Sequence, residues 1–462
     1  MNLSIRQLVN PSTIHTMKKW TLSLGILFAL PTMLFAQTHQ WTLKDCINHA
    51  MQHNISLQKQ RIAVKSAEEE MLHSKAELLP SVSASTSQNV NYRPWPETGA
   101  ARVANGSVQS SVDKVFYNGT YVINAQWTLW NGNRNRNTIA LNQLQMSKAE
   151  AEAMVSAATI QERIAQLYVQ ILYSAEAINV SKQALETSAR NEERGKEMLN
   201  VGKMSKADLA QLTAQRAQEE YNVLSAQSTL ADFKRQLKQL LQITDSAPFE
   251  VAVPATTDEM ALQSIPSVSE VYAQAISWRP ELKAAQLAIN GAETSIKVAK
   301  AQNLPTLSLG ASMGTNTTSL SDNAWGTQIK TNFDMGAGLT LSIPLFDNRN
   351  KRTAVNRAQF DRQSSMLELQ DKQTALYSNI EECWLQATNN QNKYKAAKVS
   401  VESAQQSYDL LSEQFNLGLK NIIELMTGKN NLVTAQQNEL QSKYMAILNI
   451  HLLNFYKTGE IK

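Results

Sequence analysis

The chain contains the same succession of segments twice, and this duplication constrains its fold more than any other feature. A Leu-Pro step that closes an amphipathic stretch occurs at Leu79-Pro80 and again at Leu304-Pro305. An Asn-x-Gly turn with an acidic residue six positions after the glycine occurs at Gly202 and again at Gly418. Because order and spacing agree, the chain is a tandem duplication of a unit of about two hundred residues, not an array of short repeats.

Each repeat contains a long tract without proline. The tracts 97–247 and 345–462 hold none of the 11 prolines, and glycine is sparse in both. Since proline and glycine are the residues that interrupt helices, both tracts are predicted to be mostly helical, with a reversal at Gly202 and at Gly418. A helix over 133–200 is about 100 Å long at about 1.5 Å per residue. We therefore expect an elongated, self-associating molecule.

An apolar stripe with a seven-residue period follows the first long helix, and the faces beside it are polar. The stripe consists of Ile160, Ile164, Leu167, Ile171, Ile178 and Leu185. This period predicts a coiled-coil seam, too narrow to make a single chain globular. A charge in the seam, as in Ile171→Asp, is expected to prevent assembly.

The first residues carry an export signal. Lys18 and Lys19 precede an apolar run that ends at Ala36, so residues 1–36 are predicted to be a signal peptide cut before Gln37, with translation starting at Met1 or at Met17. No later segment has the eighteen or so apolar residues of a spanning helix. The formal net charge of +4 is small and does not favour a nucleic-acid partner.

Four short segments have a period of two, with one apolar or aromatic face and one small polar face. They cover 81–92, 120–130, 306–314 and 335–345. This alternation is typical of membrane-barrel strands, with Tyr121, Trp127, Leu129, Leu307 and Leu309 on the lipid side, but also of a half-buried sheet in a soluble domain. Since four strands cannot close a barrel and a membrane tolerates no open sheet edge, several chains must pool their strands if these lie in lipid.

The remaining segments divide the chain into two structural repeats. Residues 37–243 form the first repeat, 244–266 a proline-containing linker, and 267–462 the second repeat. Polar segments at 91–118 and 314–334 are predicted to be loops at the outer ends of the strand hairpins.

The chain resembles the outer membrane efflux protein family over essentially its whole mature length. The resemblance rests on the signal peptide, the Leu-Pro entries, the Leu129-Trp130-Asn131-Gly132 and Pro344-Leu345-Phe346-Asp347 exits into helix, and the two Asn-x-Gly turns. It implies a mainly α protein with a membrane β-barrel. Each chain of a homotrimer then gives four strands to a twelve-stranded barrel in outer-membrane lipid, and very long coiled-coil helices continue as a periplasmic tunnel. It also implies a passive export duct served by a periplasmic adaptor (membrane fusion) protein and an inner-membrane transporter.

The same resemblance implies a gate at the helix turns. The family's acidic residue of the first repeat falls on Asp208, and the aromatic and basic residues that it meets in the second repeat fall on Phe415 and Lys420. The family's acidic ring falls on Glu424, while its second acidic position is Thr427. Phe415 has no hydroxyl group and Lys420 has no guanidinium fork, so a looser latch is expected.

The two acidic residues also have a structural interpretation. Ser205 with Asp208 and Asn421 with Glu424 fit capping boxes at helix starts, so helix capping alone accounts for both carboxylates. Lys420 has no capping role, although a solvated lysine is an alternative. The gate and the capping interpretations both stay open.

The sequence does not favour enzymatic chemistry. His49 and His53 lie four residues apart but have no third ligand nearby, and a solvated helix face is the simpler reading. Cys46 and Cys383 either pair or are buried thiols. We expect no metal, cofactor or catalytic residue.

Three hypotheses about function remain. The protein is a trimeric export duct, a periplasmic coiled-coil spacer without a pore, or an envelope enzyme without a recognisable site. Extraction by detergent or by salt separates the first two.

Overall fold

The computed structural model of the chain describes residues 40–95, 101–104, 107–110, 114–245, 247–254 and 256–459. The expected signal peptide, its cleavage before Gln37 and the choice between Met1 and Met17 lie outside the described residues. Within that part of the chain, no helix is both long enough and apolar enough to cross a membrane.

The first repeat begins with two short helices whose junction is set by side-chain caps. Strand β1 (Gln40–Trp41) is followed by helix α1 (Leu43–His53) and helix α2 (Ile55–Ala76). Thr42 forms a capping box with Asp45 at the start of α1, and Asn54 accepts hydrogen bonds from the first backbone N–H groups of α2. The next elements are β2 (Ser81–Tyr92), β3 (Ala101–Ala104), β4 (Ser107–Ser110), β5 (Val115–Trp130), α3 (Arg134–Asn200) and α4 (Lys206–Leu241).

The second repeat follows a linker that has structure of its own. In the linker, β6 (Glu250–Val251) pairs in parallel with β1 and is followed by α5 (Asp258–Ala261). The second repeat then consists of α6 (Val268–Trp278), α7 (Pro280–Ala301), β7 (Thr306–Thr318), α8 (Trp325–Thr331), β8 (Asp334–Ser342), α9 (Asn350–Asn416) and α10 (Ile422–Thr458). Pro280 occupies the first turn of α7, where a missing N–H costs least.

The two helical hairpins are closely matched. Helices α3 and α9 have 67 residues each, and the returning helices α4 and α10 have 36 and 37. Each long helix is therefore about 100 Å long, as the proline-free tracts predict. Asn133 and Arg349, which precede the two long helices, both adopt left-handed backbone conformations, so the entries into the hairpins are equivalent as well.

Strands β2, β5, β7 and β8 form one antiparallel sheet in that order. Residues directly opposite across antiparallel strands share a face, and the register therefore assigns the faces. One row across the sheet is Ala84, Ile123, Met313 and Met335, and the row beside it on the other face is Ser83, Asn124, Ser312 and Gly336. The apolar and polar faces expected from the alternation thus continue across all four strands.

The strand ends differ from the expected ranges. Strand β5 begins at Val115 instead of 120 and β7 continues to Thr318 instead of 314, because ladder pairing extends past the alternating pattern. Strand β8 ends at Ser342, before Pro344, which has no N–H group for a ladder. A register shift places Trp130, not Leu129, opposite Leu307, so Trp130 continues the apolar face.

The two segments expected to be loops also contain regular structure. The first, 91–118, includes the β3–β4 hairpin and the start of β5, and the second, 314–334, includes the end of β7 and all of α8. Helix α8 packs on the sheet, where Thr315 of β7 bonds to its Ile329 carbonyl.

The apolar stripe of α3 lies inside a single chain, which corrects the expectation that it forms a seam of an assembly. Ile171 is 2% exposed and packs in a cluster with Leu241 of α4, Phe249 of the linker and Leu448 of α10. Ile160, Ile164, Leu167 and Ile178 are buried as well, while Leu185 is only half-buried. The heptad period identified a buried face but not the partner, which the linker and α10 supply.

Candidate entrance site at the helix tips

Both hairpins reverse at a position whose backbone conformation requires glycine. Gly202 has φ +75° and Gly418 has φ +77°, and in each turn the glycine N–H and the following N–H donate back to carbonyls of the long helix. Nothing lies within 4 Å of a side chain built at either glycine, so the backbone angle, not crowding, requires glycine. Val201, Leu417 and Leu419 beside these glycines are 68%, 74% and 71% exposed.

Glu424 lies in the first turn of the returning helix α10, where it both completes a cap and forms an ion pair. Its backbone N–H donates to Asn421 Oδ1 (2.9 Å), and its own Oε2 accepts from the Asn421 N–H (3.2 Å), which completes a capping box. Its Oε1 accepts from Lys420 Nζ at 2.6 Å. The hydrogen bonds from Lys420 and from the Asn421 backbone lower the Glu424 pKa, so the side chain is charged at neutral pH.

Asp208 at the start of α4 is held by its own N-cap. Ser205 Oγ accepts from the Asp208 N–H (3.0 Å) and donates to Asp208 Oδ2 (2.7 Å). In this chain Asp208 therefore bonds to Ser205 while Lys420 bonds to Glu424, and the expected meeting of Asp208 with Lys420 is absent from the described chain. Asp208 and Lys420 each bond to a residue three or four positions away in the same turn. Such a local pair costs less side-chain entropy than a contact between the two turns.

Phe415, predicted to be the aromatic residue of the gate, is buried between the two tips. It is 6% exposed and packs against Leu212 of the first hairpin and Ile422 and Leu425 of the second. Met198, Met204, Tyr408 and Met426 surround this cluster. A residue predicted to contact the gate is therefore the apolar centre that joins the two tips.

A buried ion pair behind the tips was missed in the sequence. Lys429 of α10 donates to Glu219 Oε1 of α4 at 2.6 Å and to Ser188 Oγ of α3, and the Lys429 and Glu219 side chains are only 4% and 5% exposed. Desolvation lowers the Lys429 pKa and opposes ionisation of Glu219, but the hydrogen bonds from Lys429, Gln215 and Asn222 lower the Glu219 pKa overall. The pair thus joins both hairpins as charged groups.

A sequence signal for this pair exists. Lys429 lies four residues after Leu425 and three before Leu432, which are both buried, so a lysine occupies the apolar stripe of α10. Gly428 beside it allows close helix packing, since a Cβ there would meet Leu411 Cδ1 at 2.6 Å. A lysine within such a stripe and next to a glycine indicates a buried charge.

The structure also places the two histidines and the two cysteines singled out in the sequence. The rings of His49 and His53 lie with centroids 4.3 Å apart, and within the described residues no cluster of three or more metal-ligating side chains exists. Cys46 and Cys383 are free thiols, and burial raises their pKa values to about 12 and about 11. Of the two alternatives for the cysteines, the structure thus shows unpaired thiols in apolar surroundings.

Matched helical hairpins joined to a sheet with one apolar face define a protein of duplicated architecture. The family model described as outer membrane efflux protein matches residues 46–242 and 271–449, which are most of both repeats. The chain belongs to the outer membrane efflux protein family. Membership places it in the outer membrane with its helices in the periplasm, and confirms the expected fold class of four strands and very long helical hairpins per chain.

Individual relatives match the chain at low sequence identity. The outer membrane efflux protein BepC of Brucella suis biovar 1 (strain 1330) is 21% identical over 416 residues, covering 89% of this chain and 84% of BepC. TolC of Escherichia coli (strain K12) is 23% identical over 290 residues, but the match covers 61% of this chain and only 58% of TolC. The crystal structure of VceC from Vibrio cholerae superposes with a TM-score of 0.72 at 18% identity, covering 90% of this chain and 96% of VceC. The likeness to VceC establishes the fold.

Proposed function

We propose that three copies of the chain form a channel that is the passive exit duct of a tripartite efflux or export system. In this proposal the chain performs no enzymatic chemistry. A periplasmic adaptor protein and an inner-membrane transporter deliver the substrate, and the duct conducts it through water. The observation that carries the proposal is the four-stranded sheet, with one face apolar over its whole width and with an edge strand on each side.

The sheet cannot be completed by one chain. In the described sheet, β2 and β8 are the edges, and each is paired on one side only. An unpaired backbone group in hydrocarbon costs several kcal/mol, on the order of 2–7 kcal/mol for each amide. Pairing the β8 edge of one copy with the β2 edge of the next removes both edges, and three copies close a twelve-stranded ring with the apolar face toward lipid.

The helices support the same assembly. Helix α9 carries apolar side chains that one chain leaves exposed: Phe360, Leu367 and Val399 are 64%, 66% and 64% exposed. Such side chains along a helix of about 100 Å are suited to pack against the neighbouring copy and to build the wall of a tunnel. The apolar stripe of α3 is not needed for this contact, because it is covered within the chain.

In this proposal the entrance of the duct lies at the helix tips, the turns at Gly202 and Gly418. Val201, Leu417 and Leu419 form an exposed apolar surface at the two turns, where the adaptor docks. Three copies of Glu424 form an acidic ring that favours cations, and Asp208 and Lys420 bias the entrance toward its closed state through contacts between copies. Each exposed ion pair contributes no more than about 1 kcal/mol, so adaptor docking can open the entrance. Phe415 supports the tips from inside.

Extraction and single-channel recording test the proposal. We expect the protein to leave membranes with detergent but not with salt, to have the mass of a trimer, and to conduct in planar bilayers with cation preference. Glu424→Gln keeps the capping box and is expected to reduce the cation preference and the block by multivalent cations. Glu152→Gln is the matched control, since Glu152 pairs with Lys148 at comparable exposure far from the tips. A salt-soluble monomer would contradict the duct and favour the periplasmic spacer.

A further inference from the structure

Helix α8, in the segment between β7 and β8, packs on the apolar face of the sheet. Thr315 Oγ1 donates to the Ile329 carbonyl at 3.0 Å, and the Trp325 ring meets the Tyr121 ring edge-on with centroids 6.3 Å apart. Tyr121 and Thr315 are directly opposite each other in the β5–β7 register, on the face that continues through Ile123 and Met313. The helix therefore covers the apolar face and not the polar face.

Two amide side chains hold α8 against β7 beyond the point where β8 begins. Strand β8 pairs with β7 only as far as Gly314, and beyond it Gln328 accepts from the Thr318 N–H (2.8 Å) and donates to the Thr318 carbonyl (3.1 Å). Asn332 donates to the Asn316 carbonyl at 2.9 Å. Gln328 is 5% exposed. The segment is thus a fixed part of the sheet, because it satisfies backbone groups that a longer β8 would have paired.

The helix lies where the apolar band of the sheet ends. From Leu307 to Thr315 the strand rises about 26 Å at about 3.3 Å per residue, or about 20 Å across a membrane at a tilt of about 40°. An outward-facing apolar band in membrane barrels is about 25 Å tall, with aromatic side chains at its boundaries. Trp325 and Phe333, which are 61% and 53% exposed, lie at the end of the apolar band near Thr315.

We propose that α8 and Phe333 form an interfacial anchor that binds the outer-leaflet lipid at its polar–apolar boundary. This inference rests on the proposed function, which puts the apolar face of the sheet in lipid. Trp325 and Phe333 enter the boundary layer, where amphipathic aromatic rings are favoured, and the exposed Lys330 reaches lipid phosphates. A neighbouring copy is a poorer occupant, because Trp325 lies over Tyr121 of β5, an interior strand, and not at the sheet edges where copies pair.

Fluorescence quenching by brominated phospholipids tests the anchor in the full-length protein. Trimers are placed in vesicles whose acyl chains carry bromine close to the headgroup, and the quenched part of the tryptophan emission is compared between the wild type, Trp325→Phe and Trp127→Phe. Trp127 is the control because it stands opposite Leu309 on the same apolar face, near the other boundary. Both substitutions keep an aromatic ring, and trimer mass verifies assembly.

We expect each variant to lose part of the bromine-quenched emission, and the Trp325 emission to resist iodide added to the water. If Trp127→Phe loses quenching while Trp325→Phe does not, the anchor is wrong and the duct stands. If neither variant loses quenching, the sheet is not in lipid, and the proposed function fails together with the anchor.

Discussion

Breaking the buried Lys429–Glu219 pair is expected to loosen the contact between the two hairpins. Lys429→Met keeps the length of the side chain but leaves the Glu219 carboxylate, which is 5% exposed, with the uncharged amides of Gln215 (2.8 Å) and Asn222 (3.2 Å) as its donors among the described residues. Removing one partner of a buried pair costs about 3–5 kcal/mol, because the remaining charge stays desolvated. The free energy of opening the helices near the tips should fall by this amount.

Amide hydrogen exchange on the trimer measures this opening directly. A loss of about 3 kcal/mol corresponds to more than about a hundredfold faster exchange, since each 1.4 kcal/mol is about tenfold. The faster exchange should be confined to the segments around Glu219 and Lys429. Lys148→Met is the matched control: Lys148 and Glu152 form a pair that is 42% and 49% exposed, so its loss should cost no more than about 1 kcal/mol.

The double variant Lys429→Met with Glu219→Gln decides whether the charge is responsible. Without the carboxylate no buried charge is left, so the double variant should recover most of the protection that the single variant loses. Exchange in Lys429→Met within a few-fold of wild type, or a double variant no better protected than the single one, would refute this reasoning.

Three further predictions follow from other contacts. Phe415→Ala should cost about 3–5 kcal/mol in the stability of the tips, measured by hydrogen exchange, while Leu417→Ala, which removes an exposed side chain, should cost less than about 0.5 kcal/mol. Hydrogen bonds from Lys398 and Tyr394 lower the Asp258 pKa from 3.8 to about 2. The docking of the linker should therefore be fully stable above about pH 4 and weaken as the pH falls toward 2. Proteolysis of the linker across that range measures this, and the rate for Asp258→Asn should not depend on pH in the same way. Ile171→Asp should leave the chain unfolded, without a folded monomer by circular dichroism, because Ile171 lies in the core of one chain.

The long helices and their reversals could be predicted because their signals are local. Proline-free tracts define α3 and α9, and Gly202 and Gly418 provide the left-handed turns, whatever the rest of the chain does. Strand alternation likewise indicated both faces of the sheet. The bulge before Trp130 was not predicted, since it depends on the register with β7.

The site could be predicted only in part, because burial depends on which helix faces which. The cap at Glu424 is a local motif and is present, but Lys420, in the turn before α10, bonds to Glu424 four residues later, and Phe415 packs between the hairpins. Lys429 gave a weak signal as a lysine in an apolar stripe, and Glu219 gave none. Helix α8 was missed because its position depends on the free edge of β7 and not on its own seven residues.

Covalent capture of neighbouring sheet edges tests whether three copies of the chain close one sheet. In a chain with Cys46→Ala and Cys383→Ala, Thr340→Cys on the β8 edge is combined in turn with cysteine at Ser81, Ser83, Ser85 or Ser87 on the β2 edge. These positions share the polar face, and within one chain each is at least about 14 Å, three strand spacings, from Thr340, which a disulfide cannot span. We expect at least one pair to oxidise to covalent dimers and trimers and to nothing larger. Monomers for every pair, or a ladder that continues past three, would contradict it.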